Sequence, residues 1–219
     1  MARQPRFVIP GLAHYVLLRG HNLQPVVMDE ADGQVLLEAL REATRTQAVV
    51  VHAYAMLSSA VHLLLRPGST EALSACVQNL GRRYVARFNR RHARSGALWD
   101  GRFRAAALEP GATTLAALRR IDALGHGASS ASRTGGLRDA MLVDPPEIWA
   151  LGNTPFEREL AYRELLAQEL PAQASIALDA ALRGGRAMGS ARFLSQLAAA
   201  TGRPMAHRPR GRPPLKRAA

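Results

Sequence analysis

The chain of 219 residues contains one cysteine, Cys76, which rules out an intrachain disulfide and a cysteine-based zinc site. Cys76 falls in an apolar helical pattern and is expected to be a small core residue. Long apolar runs are also missing. Nothing approaches the roughly 18 uninterrupted apolar residues of a membrane span, so no membrane partner is expected. The opening residues Met1-Ala2-Arg3-Gln4-Pro5-Arg6 lead into no such run either, so no signal peptide is expected and a cytoplasmic location is. Acid is scarce: 17 Asp and Glu stand against 29 Lys and Arg, giving a net charge of +12. Most of the basic excess is arginine, whose planar fork suits bidentate phosphate contacts. Such a chain suits a polyanionic partner, nucleic acid being the commonest, and a solvated basic surface is the alternative.

What is present alternates strand with helix. Residues 13–19 read as a first strand, followed by a turn through Gly20-His21-Asn22. Asp29 caps a helix to about Thr46 whose apolar face holds Val35, Leu36, Ala39, Leu40 and Ala43. Residues 49–56 and 61–65 give two more strands. A long helix follows from Ser69-Thr70-Glu71 to Arg91, then a fourth strand within 97–108 and a helix from Thr113 or Thr114 to Leu124. The order β-α-β-β-α-β-α predicts an α+β fold, a ferredoxin-like antiparallel sheet with helices on one face. We expect this domain at 1–124 and a glycine-rich linker or long loop at 125–143. A small helical module at 144–202 and a basic tail at 203–219 complete the chain. The module's helices are expected to start near Thr154 or Pro155, near Pro171 and after Gly189-Ser190.

The segment His52-Ala53-Tyr54-Ala55-Met56-Leu57-Ser58-Ser59-Ala60-Val61-His62-Leu63-Leu64-Leu65 resembles the metal-binding strand of the REP-associated tyrosine transposases, a branch of the HUH single-strand DNA transposases. Two histidines one residue apart point to the same face of a strand, and both can bind one divalent cation. Here His62 keeps the second position and Ala60 occupies the first, so one ligand is lost and His62 is at most a residual metal ligand.

Further phrases carry the same resemblance. Arg83-Tyr84-Val85-Ala86-Arg87-Phe88-Asn89-Arg90-Arg91-His92 and Gly96-Ala97-Leu98-Trp99-Asp100-Gly101-Arg102-Phe103 match the family in order and spacing, as do Arg19-Gly20 and Gln24-Pro25. The match covers about residues 5–124 and, less specifically, 144–214. The family's nucleophilic tyrosine lies on the next helix. The corresponding phrase here is Leu118-Arg119-Arg120-Ile121-Asp122, with Arg120 where the phenol belongs. Arginine cannot form a phosphotyrosine intermediate. No catalytic residue is therefore expected to be intact, and Mg²⁺ or Mn²⁺ is expected only with residual activity.

Residues 81–104 hold eight arginines, with Asp100 as the only acid among them. On a helix, Arg83, Arg87, Arg90, Arg91 and Arg94 share one face, which makes them candidate phosphate contacts. The interleaved Tyr84, Phe88, Trp99 and Phe103 are expected to anchor the segment to the core. The last 17 residues carry six Lys and Arg and no acid. Their Arg208-Pro209-Arg210-Gly211-Arg212-Pro213 phrase resembles an AT-hook, with Arg210 and Arg212 placed for a narrow minor groove.

The expectation is a DNA-binding transposase homologue, unable to cleave, with single-stranded hairpins as partners and homodimers as the resemblance implies. An active metal-dependent transposase is the alternative. A third reading, an RNA-binding module on an RRM-like sheet, lacks the paired exposed aromatics of that mode.

Overall fold

The computed structural model describes residues 6–125, 130 and 139–205. Four strands, β1 (His14–Arg19), β2 (Val49–Met56), β3 (Ala60–Pro67) and β4 (Arg104–Ala107), form one sheet in the order β2-β3-β1-β4 with every neighbour antiparallel. Helix α1 (Glu30–Thr46) joins β1 to β2, and α2 (Ala72–Arg91) joins β3 to β4. This is the ferredoxin-like arrangement the sequence predicts. The Asp29 carboxylate accepts from the Asp32 N–H at 2.9 Å and starts α1. Gly20 is required at the turn leaving β1, where a Cβ would lie 2.1 Å from the Gln24 carbonyl oxygen. That contact ties the Arg19-Gly20 and Gln24-Pro25 segments together.

Alternation along the strands sorts side chains to two faces. Val16, Leu18, Val61, Leu63 and Leu65 pack with Leu36, Leu40, Leu73, Leu80, Tyr84 and Phe88 of α1 and α2. Tyr15, Leu64, Ala53, Ala55 and Ala106 face the other way. A bulge between Val51 and Ala53, at His52, shifts the β2 alternation so that Ala53 and Ala55 join that second face.

The second face is where the expectation of helices on one side needs correcting. It is covered by α3 (Ala112–Ala123), α4 (Pro146–Trp149), α5 (Pro155–Ala167) and α6 (Ala172–Gly184), through Ala117, Leu118, Ile121, Ile148, Tyr162, Leu178 and Leu182. The alanines of β2 and β4 leave room for these helices to approach. The final helix α7 (Ala191–Thr201) packs Phe193, Leu194 and Leu197 around Phe7 and Ala187.

The three longer C-terminal helices begin where the sequence predicts. A capping box between Thr154 and Glu157 opens α5, Pro171 precedes α6, and the Ser190 hydroxyl accepts from the Phe193 N–H to open α7. The fourth strand is shorter than expected. Gly96 and Gly101 adopt positive φ, and residues 97–103 form a loop that touches the sheet edge through the Gly20–Trp99 bridge.

The expected linker lies largely outside the described residues, but its described parts are docked on β2. Val143 N–H donates to Val51 O at 2.9 Å, and the Ser130 hydroxyl accepts from Tyr54 N–H at 2.9 Å. These contacts satisfy backbone groups on an otherwise open sheet edge. Among the described residues, no helix is long and apolar enough to cross a membrane.

Candidate functional site

The second face of the sheet brings His62 together with residues that the sequence reading did not connect to it. In the β1–β3 register His62 stands opposite Leu17, so alternation puts Tyr15 on the same face as His62. The Tyr15 hydroxyl and His62 Nδ1 are 2.7 Å apart, with Tyr15 fully buried and His62 only 9% exposed. Helix α3 lays Arg120 across this pair, its guanidinium carbon 5.8 Å from the Tyr15 ring centre. Helix α6 then holds Arg120, through Asp179 Oδ1 at 2.7 Å and the Ser175 carbonyl at 3.2 Å.

This surrounding sets the charge states. Burial lowers the pKa of His62 to about 4, aided by the Arg120 charge and opposed by Asp179. Burial raises the Tyr15 phenol well above its ordinary range, Arg120 offsetting part of the shift. Near neutrality the cluster is thus a neutral phenol against a neutral imidazole, beneath an Arg–Asp pair. A buried, protonated phenol is a poor nucleophile.

These donors make a poor set for a divalent cation. His62 Nδ1 is engaged by Tyr15, which leaves Nε2 as its single donor; Ala60 offers no donor atom, and Asp179 is bound by a guanidinium that already supplies positive charge beside His62. Among the described residues, no three His, Cys, Asp or Glu side chains gather to hold a metal.

Four of the five arginines read as a phosphate ridge have partners that their own segment did not reveal. Where Asp100 was the only acid in sequence, helix α1 and its cap bring four more. Arg83 bonds Asn79 at 2.9 Å and lies 3.7 Å from Glu42; Arg87 pairs with Glu38 at 3.1 Å. Arg91 pairs with Asp29 at 2.6 Å and also with Asp32, while Arg94 donates to Gln24 Oε1 at 2.7 Å. Arg90 is exposed and makes no ion pair among the described residues. Arg91 is the main reason that the Asp29 carboxyl falls to about 2. For Asp32, burial pushes upward but is outweighed by bonds from His92, the Met28 N–H and Arg91, so its pKa is lowered. The anchoring aromatics behave as expected: Tyr84 and Phe88 are buried, and Trp99 and Phe103 pack at the core margin. Arg210 and Arg212 lie outside the described residues.

No family model matches this chain, and no curated protein matches it. Solved structures similar to it include two transposases. One is a REP-associated tyrosine transposase bound to a REP hairpin, 16% identical, covering 56% of this chain and 71% of that one, with a TM-score of 0.46. The other is a candidate transposase from Deinococcus radiodurans R1, 22% identical, covering 58% of this chain and 100% of that one, with a TM-score of 0.38. Both similar structures are described as transposases. Neither likeness assigns a residue role to this chain.

Sequence reasoning missed Tyr15 and Asp179. Tyr15 had a usable signal, since strand alternation places it on the His62 face. Asp179 had none, because its meeting with Arg120 depends on how α6 folds back over the sheet.

Proposed function

We propose that this chain is a transposase-like DNA-binding protein without strand-cleaving chemistry. The observation that carries the second half is the state of Arg120. It stands where the resemblance implies the nucleophilic tyrosine, and it is tied to Asp179 and Ser175 of α6 above the buried Tyr15–His62 pair. A phosphodiester needs an exposed nucleophile and room to be attacked in line. Arg120 supplies no nucleophile, and α6 occupies the approach. The DNA half rests on the motif resemblance and on the arginine excess. RNA binding in the RRM manner is less well supported, because Tyr15 and Tyr54 on the strands are buried rather than offered to bases.

The test is incubation with an end-labelled single-stranded DNA hairpin, with and without Mg²⁺ or Mn²⁺, resolved on native and denaturing gels. A native shift with neither cleavage nor a denaturant-resistant adduct is the expected result. An adduct or cleaved strand would overturn the loss of chemistry, and absence of any shift would overturn the DNA reading.

A further inference from the structure

Away from the His62 face, a furrow runs beside the loop that leads into β4. It has two compartments of about 490 and 970 Å³, which share the 100–103 turn. Eight arginines line the two compartments, against Asp100 as the one carboxylate. Among them Arg82, Arg102, Arg104, Arg183 and Arg186 make no ion pair among the described residues, in contrast to Arg87 and Arg91 on the α2 face. Two donors on the furrow walls are buried without an acceptor: Trp99 Nε1 and Arg186 Nη1. Indole and guanidinium nitrogens only donate. Buried donors left unmatched point to a ligand that brings acceptors.

We propose that this furrow holds the phosphodiester backbone of a single-stranded DNA segment, with an unpaired base at Trp99. The inference rests on the DNA-binding reading and gives it an address. Charge selects the class: phosphate oxygens accept only, and arginine meets them with forked donors. The Trp99 ring on the furrow wall selects single strands over duplex, because an unpaired base has a free face to stack on it. The α2 face is the poorer track, since phosphates there would have to displace carboxylates already bound.

The test uses the full chain and a fluorescein-labelled oligothymidylate of roughly 15 nucleotides, followed by anisotropy over a salt series. The Arg102→Ala/Arg186→Ala double variant is expected to bind at least about tenfold more weakly. Its log–log salt slope should shrink by about 1.4, at roughly 0.7 per lost phosphate contact. Arg82→Ala should show a smaller loss in the same direction, and Arg87→Ala should match the parent in affinity and slope. In a Trp149→Phe background the emission of Trp99 should fall on binding. Circular dichroism melts establish that each variant folds. If the parent binds and the furrow variants bind equally well with the parent slope, the furrow assignment is overturned and the DNA reading stands. A blunt duplex that competes as well as the single strand would overturn the single-strand preference. A parent that binds neither form would overturn both readings.

Discussion

Two of the three histidines buried among the described residues, His14 and His62, are expected to make the core acid-sensitive. His14 Nδ1 lies 2.9 Å from the Leu12 carbonyl, while Nε2 accepts from the Ile9 N–H at 3.2 Å. A second ring proton would therefore face an N–H. Burial lowers the pKa of His14 to about 4, as it does that of His62. In the unfolded chain both titrate near 6.5. Between those values the unfolded chain binds protons that the fold refuses, so stability falls as pH drops through this window and levels off below it. Each histidine contributes at most about 3 kcal/mol to that fall. The Asp29 and Asp32 carboxyls, held low, act only below their unfolded value of 3.8, so the two effects separate on the pH axis. Urea midpoints measured from about pH 7.5 down to about pH 4.5 should decline in the parent. The decline should be shallower in His14→Gln. A flat parental profile would rule out neutral burial of these rings.

At the scale of elements, α1 and α2 are joined by ion pairs of unequal worth. Arg87 and Glu38 are both exposed, with side-chain accessibilities of 53% and 70%, so Arg87→Ala should cost under about 1 kcal/mol. Arg91 reaches Asp32, whose side chain is 2% exposed, and removing it weakens the compensation of a buried carboxylate. Arg91→Ala should cost about 1–3 kcal/mol by urea denaturation, the loss being limited because His92 also bonds Asp32, at 2.9 Å. Equal costs for the two variants would contradict this ranking.

The same pair of helices shows what was legible in the sequence. Asp29, Thr154 and Ser190 mark helix starts because capping is local chemistry, and β2 runs over 49–56 as its apolar pattern predicts. Arg87 and Arg91 read as free because their acids lie 49 and 62 residues earlier. Residue spacing along α2 carries no trace of a partner helix. Helix α4, four residues long, gives no periodic signal of its own.

At the scale of the whole molecule, the C-terminal helices and the sheet depend on each other. Tyr162 of α5 is buried and donates its hydroxyl to Asp122 of α3 at 2.6 Å, while Leu178 and Leu182 of α6 share a core with Tyr15 and Leu118. Removing residues 145–219 would uncover that core and release Arg120 from Asp179. The shortened chain would then present Leu64, Leu108, Leu118 and Ile121 to water, an apolar surface that favours self-association. It should bind anilinonaphthalene sulfonate, unfold at a lower urea midpoint than the full chain, and leave His62 open to diethyl pyrocarbonate. Tyr162→Phe distinguishes cover from anchor. It keeps the apolar contacts and leaves the Asp122 oxygen short of one donor, so it should lower stability by about 1–3 kcal/mol without dye binding. A shortened chain that keeps His62 protected and binds no dye would mean that the sheet and α3 enclose the site by themselves, and that α6 is only an outer layer.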